Sequence, residues 1–129
     1  MTILPSSPYL DFLGVETRED EGDLICVLPF ADHLVGNVAL PALHGGAVGA
    51  FLETCAILEL LRAHGERQGA YPKTISFTIQ YLRSGRPKTT FAQAKVTKLG
   101  RRVSNVFVEA WQSERERPIA TAQGQFLKP

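Results

Sequence analysis

The sequence predicts an α+β fold in which one antiparallel sheet curls around a single central helix. Three observations lead to this prediction. Residues 45–64 have helical periodicity but are apolar on almost every face, so other elements must enclose that helix. Residues 15–28 and 74–127 contain alternating or short apolar runs separated by turn residues, which is typical of strands. A chain of 129 residues has room for one core, so 1–129 is predicted to be a single domain.

Before the central helix, the pattern predicts a short helix at 7–14 and strands at 15–18 and 24–28. The polar run over residues 19–23 predicts a turn between those two strands. Residues 30–43 form a long irregular stretch that contains Gly36, Asn37 and Pro41. Irregular stretches of this length inside a compact domain are usually functional.

The central helix is predicted to run from Gly45 to about His64, a length of about 30 Å. Its narrow polar stripe contains Glu59 and Arg62, which are three positions apart and are expected to pair. Gly65 and Gly69 are predicted to end the helix.

The remaining chain is predicted to form four strands, over 74–82, 91–99, 103–111 and 118–127, joined mainly by hairpins at 99–101 and 113–117. The first of these alternates, with Ile75, Phe77, Ile79 and Tyr81 on one face and Thr74, Ser76, Thr78 and Gln80 on the other. A sheet that wraps one helix leaves an edge strand unpaired. Such an edge favours dimerisation by strand pairing between two chains.

The bulk properties exclude several classes of function. A net charge of +1 gives no field that would attract nucleic acid or a membrane surface, so neither partner is expected. Residues 1–12 lack Lys and Arg, so no signal peptide is predicted, and no apolar run approaches the ~20 residues that span a bilayer. Cys26 and Cys55 have no ligand-like companions. We therefore expect two buried free thiols, no metal site and a cytoplasmic protein.

Glu53 is the residue that most strongly indicates chemistry. Its helical neighbours three and four positions away are all apolar or featureless: Gly49, Ala50, Ala56 and Ile57. A carboxylate among such neighbours costs several kcal/mol unless it is hydrogen-bonded or neutralised. Either Glu53 has a distant structural partner, or it faces a cleft and acts as a general base or nucleophile.

A second candidate feature is His44-Gly45-Gly46 at the start of the helix. The glycines allow a substrate to approach the backbone closely. The N–H groups of the first helical turn have no partner within the helix and carry the positive end of its dipole. They could therefore polarise a carbonyl and stabilise its oxyanion. Glu53 is the ninth residue after His44, about two and a half turns further along the helix.

These residues resemble a known motif. Gly36-Asn37, the run LHGGAV over residues 43–48 and Glu53 resemble the signature of hotdog-fold thioesterases related to phenylacetate-pathway (PaaI-like) and 4-hydroxybenzoyl-CoA enzymes. Residues 76–84 and 96–111, with the turn Gly100-Arg101-Arg102, are also similar to that family. The resemblance covers residues 15–126, and its specificity lies in HGG together with the acid. It implies the hotdog fold, a sheet wrapped around one helix.

The resemblance also implies roles in thioester cleavage. Glu53 would be the general base or the nucleophile, at a position where many relatives carry Asp. The backbone N–H of Gly46 or Gly45 would polarise the thioester carbonyl.

Further roles follow from the same resemblance. His44 and Asn37 would orient the carbonyl or the attacking water. Family members often use a hydroxyl on the strand after the helix to hold that water. Thr74 and Ser76 are both candidates because they are predicted to share a strand face, and Thr74 is preferred.

Two groups of basic residues are candidates for binding the phosphates of coenzyme A, because guanidinium groups suit phosphate well. Arg83, Arg86 and Lys88 form one group, and Lys98, Arg101 and Arg102 mark the next hairpin turn. Scattered surface charge is the alternative interpretation. The sequence contains no Gly-rich phosphate loop and no dinucleotide fingerprint, so no cofactor is expected beyond the coenzyme A of the substrate.

The leading hypothesis is hydrolysis of an acyl-CoA thioester to a free acid and coenzyme A. A hotdog dehydratase or hydratase is one alternative, but it needs a loop histidine opposed to the carboxylate, and His33 is a poor match. A non-catalytic acyl-CoA or acyl-carrier binding protein is another, which the costly position of Glu53 disfavours. The distance between HGG and Glu53 predicts a site that straddles a homodimer interface. The resemblance implies that two dimers pair into a homotetramer.

Overall fold

The computed structural model describes residues 7–64 and 71–129. The elements, in chain order, are α1 (Pro8–Leu13), β1 (Glu16–Asp20), β2 (Asp23–Leu28), a 3₁₀ turn (Asp32–Leu34), β3 (Val35–Asn37), β4 (Ala42–Leu43), α2 (Gly45–His64), β5 (Lys73–Tyr81), β6 (Thr90–Lys98), β7 (Val103–Trp111) and β8 (Ala120–Leu127). The predicted helix stop at Gly65 and Gly69 lies outside the described residues.

The main sheet has six antiparallel strands in the order β1-β2-β6-β7-β8-β5, and α2 packs across its inner face. The predicted α+β arrangement of one sheet around one helix is confirmed. β1–β2, β6–β7 and β7–β8 are hairpins at the predicted turns. β5 is not joined to β6 by a hairpin; it pairs with β8 and forms one edge of the sheet. The chain therefore crosses from one edge strand to the middle of the sheet between β5 and β6.

The core lies between α2 and the inner face of the sheet. Phe51, Leu52 and Leu58 of the helix are fully buried. The buried residues of the sheet include five alanines, which leave room for the helix to pack close to the strands: Ala92, Ala94, Ala110, Ala120 and Ala122. The predicted pair on the polar stripe is also present, with Arg62 Nε 3.2 Å from Glu59 Oε1. Within the two described ranges, no helix has the length and apolar character needed to span a membrane.

Both cysteines are free and buried, as predicted. Cys26 lies on β2 and Cys55 on α2, and the two thiols interact where these elements meet. Burial raises the pKa of the Cys55 thiol well above its usual range, and the hydrogen bond with Cys26 raises it further. The Cys55 thiol is therefore expected to be poorly reactive at neutral pH, and Cys26 is shielded from reagents by its burial.

The stretch 30–43 is more ordered than the sequence predicts. It contains the 3₁₀ turn and a small antiparallel hairpin formed by β3 and β4. The hairpin is held to the rest of the domain because Leu43 N–H donates to Gly85 O (2.9 Å) and His44 N–H donates to Leu34 O (2.7 Å). These bonds fix the chain immediately before α2.

Candidate active site

The carboxylate of Glu53 is held by a hydroxyl from the neighbouring strand. Thr74, near the start of β5, donates from Oγ1 to Glu53 Oε2 over 2.7 Å. Glu53 is half-buried, and its other oxygen, Oε1, has no hydrogen-bond partner among the described residues. The bond orients the carboxylate and offsets part of the cost of placing it on an apolar helix. Glu53 thus has one oxygen fixed and one free to accept a proton.

The prediction that Thr74 and Ser76 share a strand face is wrong. A β-bulge lies between them: Thr74 pairs with buried Phe126, whereas Ser76 pairs with exposed Gln125. The extra residue, Ile75, reverses the alternation, so Thr74 faces the helix and Ser76 lies on the outer face of the sheet. There the Ser76 hydroxyl bonds to Gln125 Oε1 (3.4 Å), away from Glu53.

β5 touches the same face of α2 at two further points. Gly45, Gly49 and Glu53 are spaced four residues apart, so they lie one above the other along this face. The hydroxyl of Tyr81 donates to Gly45 O over 2.7 Å. A Cβ at Gly49 would lie only 2.8 Å from Ile79 Cδ1, so a larger residue there would force the end of the Ile79 side chain to move.

His44 caps the start of α2. Its ring Nδ1 accepts a hydrogen bond from Gly46 N–H (2.8 Å), and its carbonyl accepts from the N–H groups of Ala47 and Val48. Because Nδ1 is an acceptor, a neutral ring carries its proton on Nε2 and can donate from there. A Cβ at Gly36 would lie 2.9 Å from His44 Cα, so Gly36 leaves room for this histidine.

The helix start and the carboxylate are separated along α2. Gly46 and Glu53 are seven residues apart, which corresponds to about 10 Å of helix axis. A carbonyl that reacts with a group at Glu53 must lie about 3 Å both from that group and from its oxyanion donors. One chain therefore brings Glu53 and Thr74 together, but it does not bring them to Gly45, Gly46 or His44.

A groove of about 400 Å³ opens beside the start of α2. Its lining includes Gly45, Tyr81 and Arg83, together with the apolar residues Leu43, Val48 and Ile119. Polar and apolar atoms both contribute to its surface, so it offers a ligand hydrogen-bonding groups as well as apolar contacts.

The predicted basic residues lie at two opposite ends of the sheet. Arg83 follows Tyr81, which pairs with Ala120, whereas Arg101 and Arg102 precede Val103, which pairs with Leu127 at the other end of β8.

Several of these cations have local hydrogen bonds. Arg83 Nη1 donates to Pro118 O (2.5 Å), and Lys88 Nζ donates to the Ser113 hydroxyl. Arg86 is anchored through its backbone N–H to Gln112. The side chains of Lys98, Arg101 and Arg102 are exposed. Asn37 ends β3, and nothing is described of its side chain. The structure thus does not gather these residues around Glu53 within one chain.

Sequence reasoning missed Tyr81, Ile79 and Gly49 as parts of this site. A signal for them exists in the spacing of Gly45, Gly49 and Glu53, which indicates a helical face that a neighbouring strand can approach. The identity of that strand depends on long-range pairing and is not encoded in the spacing.

Comparison with known proteins identifies the family. The model of the thioesterase superfamily matches residues 40–119, a span that includes α2 and Glu53. A protein of known crystal structure from Chromobacterium violaceum is 41% identical, covering 95% of this chain and 83% of that one with a TM-score of 0.73. No curated protein matches the chain.

Two more distant structures support the fold alone. A phenylacetic acid degradation-related protein from Ralstonia eutropha is 24% identical, with 95% of this chain and 91% of that one covered and a TM-score of 0.79. A Bacillus halodurans protein solved with CoA is 20% identical, with 96% and 80% covered and a TM-score of 0.83. Since the family model spans more than half of the sequence, this chain belongs to the thioesterase superfamily and has its hotdog fold.

Proposed function

We propose that this protein is an acyl-CoA thioesterase that hydrolyses an acyl-CoA thioester to a free acid and coenzyme A. The observation that carries the proposal is the hydrogen bond from Thr74 to Glu53, which leaves one carboxylate oxygen free at the surface of an apolar helix. Membership of the thioesterase superfamily supports the reaction class. The CoA bound to the Bacillus halodurans protein of the same fold supports the thiol carrier.

Glu53 can serve this reaction in two ways. As a general base, it takes a proton from a water molecule that attacks the thioester carbonyl carbon. As a nucleophile, it attacks that carbon itself, and water then hydrolyses the resulting anhydride. In both routes the carbon–sulfur bond breaks and coenzyme A leaves as a thiolate, which takes up a proton. The hydrogen bond from Thr74 holds the carboxylate in one orientation and leaves Oε1 for the water or the carbonyl carbon.

The start of α2 is the proposed site of carbonyl polarisation. The N–H groups of Gly45 and Gly46 belong to the first helical turn, where the helix dipole favours a developing negative charge. Gly46 N–H is paired with His44 Nδ1 in the free chain, so this pairing must loosen or be shared when a carbonyl docks. His44 would offer a further donor through Nε2–H.

We propose that two chains complete each site. β5 is an edge strand, and Ile75 and Tyr81 on it are about half exposed, as is Leu82 directly after it. Antiparallel pairing of two β5 edges about a twofold axis would place the Thr74 end of one strand beside the Tyr81 end of the other. Glu53 of one subunit would then lie near the helix start of its partner, and the ~10 Å separation within one chain would be closed.

The same pairing supports a role for the two basic groups. Twofold symmetry would bring the Arg101-Arg102 turn of one subunit towards Arg83 of the partner subunit. Guanidinium groups converging in this way would suit the phosphates of coenzyme A. Arg86 and Lys88 would add to the same positive field. We also propose that two such dimers associate into a homotetramer.

The alternative of a hotdog dehydratase or hydratase is disfavoured by the position of His33. Its Nε2 is 2.5 Å from Phe12 O, and its ring packs on the Phe12 ring at a centroid distance of 4.3 Å. A ring engaged in this way with α1 is poorly placed to exchange protons with a substrate opposite Glu53. A non-catalytic acyl-CoA binding protein differs from an enzyme in that it binds acyl-CoA without releasing the thiol, which the following experiment measures.

The test is thiol release from a panel of aromatic, short-chain and medium-chain acyl-CoAs, followed with a colorimetric thiol reagent. The protein contributes little background, because Cys26 and Cys55 are buried. Release from some members would support the thioesterase and name its acyl class. Binding of the panel without release would favour the acyl-CoA binder, and hydration of an enoyl-CoA without release would favour the hydratase.

Thr74 offers a second test of the site. Thr74→Val keeps the shape of the side chain but removes the donor to Glu53, so kcat is expected to fall roughly tenfold or more. Thr74→Ser keeps the hydroxyl and is expected to retain most of the activity. Steady-state kinetics with the best acyl-CoA measures both variants, and unchanged kcat in the valine variant would show that the Thr74 hydroxyl does not assist Glu53.

A further inference from the structure

The peptide group that joins Gly45 to Gly46 is held at both ends. Its oxygen, the Gly45 carbonyl, accepts a hydrogen bond from the Tyr81 hydroxyl (2.7 Å). Its nitrogen, the Gly46 N–H, donates to His44 Nδ1 (2.8 Å). The carbonyl has two lone pairs, so it can accept from Tyr81 in addition to the N–H that follows in the helix. Strand β5 thus fixes the orientation of the first peptide plane of α2.

A hydrogen bond to the oxygen of a peptide group also affects its N–H. Electron density drawn towards the oxygen leaves the N–H more polarised, and chains of hydrogen bonds strengthen one another in this way. The Tyr81 hydroxyl would therefore make Gly46 N–H a stronger donor as well as a better-oriented one. Both effects matter most for a donor aimed at a charge that develops in the transition state.

We infer that Tyr81 is a positioning residue for carbonyl polarisation, acting through the Gly45–Gly46 peptide group; this inference rests on the proposed function. Tyr81 also lines the groove beside Gly45. Its ring carbons lie 3.5 Å from the place that a Cβ on Gly45 would occupy, so the ring lies close beside the glycine. Removing the hydroxyl alone would leave the ring in place.

The kinetic test compares Tyr81→Phe with Tyr9→Phe, the same change at an exposed tyrosine on α1. Tyr81→Phe is expected to lower kcat about two- to tenfold, the effect of one lost hydrogen bond. KM should stay unchanged because the ring still lines the groove. Tyr9→Phe should leave both parameters unchanged. A Tyr81→Phe enzyme with wild-type kcat overturns the inference. If only its melting temperature falls, the hydrogen bond from Tyr81 to Gly45 O stabilises the fold and does not assist the reaction.

A second measurement needs no activity. The amide resonance of Gly46 in ¹H–¹⁵N spectra reports the polarisation of its N–H, and Tyr81→Phe should shift the proton upfield, whereas Tyr9→Phe should not. An unchanged Gly46 resonance overturns the inference. If the wild-type protein releases thiol from no acyl-CoA, the proposed function fails by itself, and the amide resonance still decides whether Tyr81 acts on this peptide group.

Discussion

Glu53→Gln is expected to lower kcat for acyl-CoA hydrolysis by a hundredfold or more, the usual cost of losing a positioned base or nucleophile. Glutamine has nearly the same size and can still accept the hydrogen bond from Thr74 through its amide oxygen. It cannot take a proton from water or attack a carbonyl at neutral pH. The affinity for the substrate should stay close to the wild-type value, because the groove beside Gly45 and the cationic groups are untouched. Steady-state and single-turnover thiol release would measure the loss.

Glu59→Gln is the matched control for this substitution. Glu59 is on the same helix and also partly exposed, but it pairs with Arg62 on the polar stripe rather than with β5. Losing that pair should cost at most about 1 kcal/mol of stability. It should not change kcat. Equal losses of activity in the two variants would point to damage to the helix. Full activity in Glu53→Gln would remove Glu53 from the mechanism and leave its hydrogen bond with Thr74 as a structural feature.

The sequence predicted the central helix well because that signal is local. A helix that is apolar on all but one narrow stripe must be enclosed by other elements, and α2 spans Gly45–His64 as predicted. The hairpins β1–β2, β6–β7 and β7–β8 were predictable because their turn residues mark them. The turn between β1 and β2, for example, contains Glu21 and Gly22, both with positive φ, as a two-residue type I′ turn requires.

The sequence could not predict on which face of the sheet Thr74 lies, because this depends on how β5 pairs with β8. The alternation of residues 74–81 in the sequence is regular, and nothing within it marks Ile75 as the extra residue of a bulge. The bulge appears only in the pairing with β8, where the register shifts between Thr74 and Ser76. The contact of Tyr81 with Gly45 is hidden for the same reason: it joins residues 36 positions apart. Glu53 stands out in the sequence because a carboxylate conflicts with its apolar surroundings, and such conflicts often mark functional sites.

Two inactive variants should restore activity when they are combined in one dimer. Glu53→Gln lacks the carboxylate. Gly46→Pro lacks the proposed N–H donor and with it the hydrogen bond to His44 Nδ1, and the His44 ring must shift because a Cβ at Gly46 would lie 2.9 Å from Nδ1. The hydrogen bonds within the helix are kept, because first-turn N–H groups have no partner within the helix. If each site takes Glu53 from one subunit and Gly46 from the other, a heterodimer contains one wild-type site and one doubly altered site. Equal mixing then gives about a quarter of wild-type activity, since half of the dimers are mixed.

The control is a chain that carries both substitutions. Combined with Glu53→Gln, it should recover nothing, because no pairing of these chains assembles an intact site. Each variant is first checked for a wild-type circular dichroism spectrum and dimer mass, and mixed dimers are isolated through two different affinity tags. Purified heterodimers without activity would place Glu53 and its carbonyl donors in one chain. That outcome would require α2 or the hairpin of β3 and β4 to move by several ångströms on binding, since about 10 Å of helix separates Gly46 from Glu53.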